Sequence, residues 1–173
     1  VQENFYDHPP LGFWLQSLFF RLLGDHRFTE KIYTAVMGIL LVYIIGKTWD
    51  ALTKKPEFKW VSQLFLVLCP AFCTIIKNNW LEGPMMVFML SSTIFMVYAF
   101  EALTQVKRSL WAFFSGTFVV CAILIKPPVP FVLFSFWCLI YFIKYKSNHK
   151  EFFLQSILFA SPFIGFCFYV YFD

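Results

Sequence analysis

Charge is what this sequence has least of: Asp, Glu, Lys and Arg together supply 14% of its 173 residues. A soluble domain carries about 25% charged and about 45–50% apolar residues, whereas this chain is 60% apolar with a mean hydropathy of +0.67. So little polar surface excludes a water-soluble globule, and lipid is the solvent for most of the chain. Loop cysteines are lacking too. Cys69, Cys73, Cys121, Cys138 and Cys167 all fall inside apolar runs, which excludes a disulfide framework or zinc-finger spacing and leaves them as small core hydrophobes. No basic stretch followed by a hydrophobic core opens the sequence, so no signal peptide is expected. Internal repeats and a long soluble segment are absent as well. The net charge of +4 does not point to a nucleic-acid partner, because in a membrane protein its meaning depends on which side of the bilayer holds it.

Phenylalanine is abundant, with 25 copies, a load that suits lipid-facing helices. Apolar runs over 32–49, 60–76, 85–103, 110–125, 131–143 and 152–172 predict an all-α, polytopic membrane protein of about six transmembrane helices. Pro70 and Pro162 are expected to kink the second and sixth spans. The fifth needs the proline segment before it to reach full thickness.

Ahead of these runs, Pro9 and Pro10 fix φ and lack an N–H, which suits the first turn of a helix. A helix is predicted from Leu11 to Leu23, with Asp7 or His8 at its cap and Gly24 at its end. Its polar stripe reads Gly12, Gln16, Ser17 and Arg21. At 1.5 Å per residue it reaches about 20 Å, short of the roughly 30 Å hydrocarbon core. It is therefore expected to lie in the interface, Phe and Trp toward lipid and Gln16 and Arg21 toward water. The organisation is then a single membrane domain over 1–173: an external loop over 1–10, an interfacial helix over 11–23 and a transmembrane bundle over 32–172. Both ends look cut, so a fragment of a longer protein is expected.

Six alternating spans sort the loops into two sets. One holds Lys47, Lys54, Lys55, Lys59, Lys107, Arg108, Lys144, Lys146 and Lys150, nine of the 14 basic residues, against Asp50, Glu57, Glu101 and Glu151. The other holds the remaining five bases and six acids. The positive-inside rule puts the first set in the cytoplasm. Three charged Pro- or Gly-bearing stretches then share the non-cytoplasmic face: Asp7-His8-Pro9-Pro10, Lys77 to Pro84, and Lys126-Pro127-Pro128.

Polar, non-helical backbone at a membrane surface is tolerated where it lines a cavity, and a charge beside apolar spans is a site hypothesis. The bland alternative is three solvated turns that stop helices. Lys126 reads either as a contact for a phosphate or as a side chain snorkelling from its helix end. His8 either donates to the phosphate or, with Asp7, holds a divalent ion as part of an incomplete ligand set; otherwise Asp7 caps the helix and His8 is solvated. Glu82 either orients an acceptor or ion, or favours its own helix N-terminus electrostatically.

At these residues the chain resembles the polyprenyl-phosphate-sugar-dependent membrane glycosyltransferases of the C-type fold. The branch is that of lipid A aminoarabinose transferases, bacterial protein O-mannosyltransferase relatives (glycosyltransferase family 39) and galacturonosyl or mannosyl transferases of lipopolysaccharide. The resemblance is carried by Phe5-Tyr6-Asp7-His8-Pro9-Pro10-Leu11-Gly12-Phe13-Trp14, then Leu22-Leu23-Gly24, Leu81-Glu82-Gly83-Pro84 with one extra Gly, and Lys126-Pro127-Pro128. It implies an inverting hexosyl or pentosyl transferase that uses a polyprenyl phosphate-sugar donor and a lipid A or lipopolysaccharide, glycan or protein acceptor. It implies a multi-pass protein of the bacterial inner membrane with its site facing the periplasm. Donor-phosphate contacts are expected from Lys126 and His8; Asp7 and Glu82 are expected to hold a divalent metal ion or orient the acceptor. The family's catalytic Asp precedes the His-Pro-Pro stretch, so it is expected upstream of Val1 with a first helix, and activity of this chain by itself is in doubt. Membrane lipid and the lipid-linked donor are the partners implied. The rival class is a non-catalytic transporter or assembly subunit, which would carry ionisable groups near the midplane; an inactive truncation of the transferase is the third.

Overall fold

Backbone N–H and C=O groups in lipid find no water, so a chain this apolar must satisfy them internally. The computed structural model describes residues 10–127, 129–145 and 148–172, and helices do this throughout. They are α1 (Leu11–Leu23), α2 (Arg27–Thr53), α3 (Lys59–Leu68), α4 (Pro70–Lys77), α5 (Glu82–Glu101), α6 (Gln105–Ile123), α7 (Val129–Tyr145) and α8 (His149–Phe172), with a 3-10 turn at Pro56–Phe58. There is no strand among the described residues. The all-α, polytopic reading of the sequence holds.

The helices differ in length. By length and composition α2, α5, α6 and the His149–Phe168 part of α8 can each cross a membrane, and α3 with α4 makes a fifth if taken as one broken span. Pro70 does more than kink the second span. It supplies no N–H, Cys69 before it turns extended (φ −71, ψ 119), and α3 and α4 diverge by 64°. Pro162 leaves α8 one helix. The apolar stretch of α7, Val129–Lys144, is about 24 Å long, short of the roughly 30 Å core. Among the described residues, four to five helices meet that length and composition, against the about six spans expected. Helices also outrun the apolar runs: α2 starts at Arg27, not Ile32, and ends at Thr53, not Trp49. Hydrogen bonding continues through polar end turns that hydropathy does not mark.

The larger core joins α5, α6, α7 and α8 through Met96, Ala99, Ala112, Val119, Ile123, Trp137, Tyr141 and Phe159. Small residues let backbones approach where lipid gives no hydrophobic drive to associate. Gly116 lies so close to α8 that a Cβ there would stand 2.0 Å from the Phe159 carbonyl oxygen. Beside it the buried Ser92 and Ser115 hydroxyls are 2.9 Å apart, and Ser115 Oγ also donates to the Ser92 carbonyl at 2.9 Å. Large apolar side chains such as Ile39, Phe65, Leu68, Val132 and Phe153 point outward, toward lipid.

Contacts at the two ends of the bundle follow the two loop sets. At one end Lys54 pairs with Glu101 at 2.7 Å and Arg108 with Glu151 at 2.8 Å. There Lys144 donates to the Phe100 carbonyl at 2.6 Å and Arg108 to the Ala102 carbonyl at 3.1 Å, so cations meet the C-terminal carbonyls of α5. At the other end Lys31 donates to the Lys77 carbonyl at 3.1 Å, closing α4 in the same way.

Candidate functional site

Three segments close the second end. The first is the start of α1. Trp14 N–H bonds to the Pro10 carbonyl at 2.9 Å, which makes Pro10 the N-cap residue. Asp7 and His8, expected at the cap, lie outside the described residues. Leu11 N–H donates to the Leu124 carbonyl at 3.1 Å, fastening α1 to the end of α6. Gly12 is buried rather than part of a wet stripe, because a Cβ there would lie 2.6 Å from Leu81 Cδ2. Leu11 and Leu15 pack with Leu81 against Met85, Ala122 and Ile125, while Phe19 meets Tyr33 edge-on at 5.2 Å. Gly24, at φ +84, ends the helix as expected.

The second segment is the turn between α4 and α5. Asn78 N–H bonds to the Thr74 carbonyl at 3.0 Å and Trp80 N–H to the Ile75 carbonyl at 3.2 Å. Asn79 between them takes φ +53, a left-handed conformation that Asn accepts better than most residues. Glu82 then opens α5, where a carboxylate faces the positive end of the helix. Pro84 falls in the first turn, where no N–H is needed.

The third segment follows α6. Lys126 N–H bonds to the Ala122 carbonyl at 3.1 Å, and fully buried Ile125 anchors the chain in the small core beneath. Lys126 Nζ reaches across to Glu82 Oε1 and forms an ion pair. Their side chains stay 34% and 28% exposed, open to a ligand yet partly withdrawn from water.

Around this pair lies a cleft of about 460 Å³, lined by Phe13, Asn79, Trp80, Leu81, Glu82 and Lys126. Of the sequence-derived candidates, the structure brings Glu82 and Lys126 together; Asp7 and His8 lie outside the described residues. The residues that follow them, Pro10 to Phe13, are held at the cleft by the Leu11–Leu124 bond and the Gly12–Leu81 contact. Sequence reasoning missed Phe13, Asn79 and Trp80 as lining residues. The one available signal was Asn-Asn before an aromatic, a left-handed turn beside a bulky apolar wall.

A cation with low-dielectric walls attracts an anion more strongly than it would in bulk water, and an ammonium-to-phosphate hydrogen bond is of the strong, charge-assisted kind. An arriving anion must compete with Glu82 for Lys126. Among the described residues no three His, Cys, Asp or Glu side chains come together. Glu82 is the acidic side chain among the described residues lining the cleft.

Compared with known families, residues 7–171 match the model described as dolichyl-phosphate-mannose-protein mannosyltransferase. No curated protein and no solved structure gives a significant match.

Proposed function

The chain belongs to the dolichyl-phosphate-mannose-protein mannosyltransferase family, and on that premise we propose that its cleft is the donor-phosphate end of a membrane glycosyltransferase site. The reaction moves a sugar from a polyprenyl phosphate to a lipid A or lipopolysaccharide, glycan or protein acceptor, on the non-cytoplasmic face of a bacterial inner membrane. An acceptor oxygen attacks the anomeric carbon, the bond from that carbon to the phosphate oxygen breaks, and its electron pair leaves with the polyprenyl phosphate. Configuration inverts, and the acceptor oxygen gives up its proton to a general base.

Lys126 stabilises the charge that grows on the leaving phosphate, an electrostatic contribution that needs no covalent chemistry. Glu82, released as Lys126 turns to the phosphate, orients the acceptor. His8 is assigned to the phosphate, and Asp7 to the acceptor or a divalent ion. The observation that carries the reading is the convergence of the α1 start, the Asn79–Glu82 turn and Lys126 on one cleft. The rival transporter class is disfavoured because the ion pairs Lys54–Glu101, Arg108–Glu151 and Lys126–Glu82 sit at helix ends.

The test is transfer by the full-length protein with Lys126→Ala and Lys126→Arg. Losing one charge-assisted contact predicts a kcat/KM for donor lower by about 10–100-fold in Lys126→Ala, with partial recovery in Lys126→Arg. An unchanged kcat/KM in Lys126→Ala would remove the cleft from the reaction.

A further inference from the structure

The end of the bundle away from the cleft has an opening of its own, in the seam between α6 and α8. The two helices run side by side in the same direction: Arg108 pairs with Glu151 near their starts, and Gly116 meets Phe159 about two turns further on. In that seam lies a groove of about 430 Å³, lined by Gln105, Val106, Ser109, Leu110, Phe113 and Leu158. Val106, Leu110 and Phe113 are exposed, so the groove opens toward lipid. None of its lining residues belongs to the cleft.

The lining is graded along the helix axis. Gln105 and Ser109, one turn apart, put an amide and a hydroxyl at the start of α6, while Leu110, Phe113 and Leu158 make the deeper part apolar. Ser91, Thr93 and Thr117 spend their hydroxyls on the carbonyl four residues back. Ser109 makes no hydrogen bond among the described residues, so its hydroxyl is available to a ligand.

Positive charge gathers at the polar end. The first turn of α6 holds no acid, and its cap residue Thr104 supplies no side-chain hydrogen bond, so the N–H groups of Gln105, Val106 and Lys107 have no intrahelical acceptor. Lys107 is exposed and has no acidic partner among the described residues. Arg108 Nη1 stands 3.4 Å from Gln105 Oε1, at the mouth of the groove. Cations in the first turn of a helix oppose its macrodipole, and an anion placed there offsets both.

We propose that this groove seats one anionic phospholipid of the adjoining leaflet. Its phosphate meets the Lys107 ammonium, the Gln105 amide and the Ser109 hydroxyl, and an acyl chain lies along Leu110, Phe113 and Leu158. The charge at the mouth favours an anionic lipid over a zwitterionic one. A soluble anion would leave the apolar part of the groove uncovered. The loops on this side also hold nine of the 14 basic residues, the bias that suits a surface facing anionic lipid. The proposal does not depend on the reading of the cleft.

In the experiment, full-length protein in a zwitterionic detergent is titrated with phosphatidylglycerol or with phosphatidylcholine of identical acyl chains, and bound lipid is counted by native mass spectrometry. Phosphatidylglycerol is expected to bind more tightly. Lys107→Gln is expected to weaken phosphatidylglycerol about fivefold, the weight of one cation near the membrane surface, and to leave phosphatidylcholine unchanged. Lys55→Gln removes an exposed charge of the same loop set that does not line the groove, and is expected to change neither lipid. Val106 is 78% exposed, so Val106→Trp fills the groove without touching the core and is expected to weaken both lipids. Equal affinity for the two lipids, equal losses in Lys107→Gln and Lys55→Gln, or undiminished binding in Val106→Trp would each overturn the proposal.

Discussion

Gly116→Ala tests whether α6 and α8 are held together by backbone proximity. The added Cβ would lie 2.0 Å from the Phe159 oxygen, 3.0 Å from its carbonyl carbon and 3.4 Å from its Cα. Close C–H···O contacts begin at about 3.3 Å, so α8 must retreat by roughly 1.3 Å. The obstacle is backbone, and no rotamer change relieves it. Phe159, Val119 and Tyr141 sit in the same core, and a gap of 0.5–1 Å already forfeits about a quarter to a half of each dispersion contact. Overpacking costs about 1–3 kcal/mol, and an inflexible partner puts this case near about 3 kcal/mol. Equilibrium unfolding of detergent-purified full-length protein is the assay. Gly165→Ala is the comparison, since nothing lies within 4 Å of a Cβ there, and it is expected within about 0.5 kcal/mol of the parent. Equal stability for the two variants would refute the close approach.

Two further outcomes follow from the same physics. Ser92→Ala and Ser115→Ala each lose a buried hydrogen bond. Ser115→Ala is expected to be the costlier, because Ser115 Oγ meets both the hydroxyl and the carbonyl of Ser92. A double-mutant cycle should return a coupling of about 0.6 kcal/mol, the usual size in a bilayer; strict additivity would contradict the pairing. At Asn79, Asn79→Gly should keep the left-handed turn, whereas Asn79→Val forces a branched side chain to φ +53 at about 1–2 kcal/mol. Donor KM should rise several-fold in Asn79→Val alone, and equal KM in the two variants would separate the turn from the site.

Local punctuation was the most legible part of the fold. Pro10 and Gly24 bracket α1 at the bounds read from the sequence, and apolar runs locate α2, α5, α6 and α8. Three features were not legible, each for a physical reason. A proline in an apolar run announces a disturbance but not its angle, so the 64° break at Cys69–Pro70 looked like a kink. Glycine counts as near-neutral on any hydropathy scale, so Gly12 fell in the polar stripe although its bare backbone is what lets Leu81 approach. The third is pairing at a distance. Alternation of spans placed Glu82 and Lys126 on one face, but that they pair across 44 residues is a tertiary fact. The Leu11–Leu124 bond is of the same kind. Asp7 and His8, the most specific part of the motif, lie outside the described residues, so their roles rest on the sequence.

Thiol labelling at the cleft tests most directly whether it faces outward and holds a lipid phosphate. In full-length protein with its other cysteines replaced, Phe13→Cys puts a thiol on the cleft wall and Thr53→Cys puts one at the opposite end of the bundle. A membrane-impermeant maleimide is expected to label Phe13→Cys in intact cells, and polyprenyl phosphate is expected to protect it. Thr53→Cys should react only after permeabilisation. Labelling in the reverse order, or at Phe13→Cys with no protection by polyprenyl phosphate, would contradict the outward-facing phosphate site.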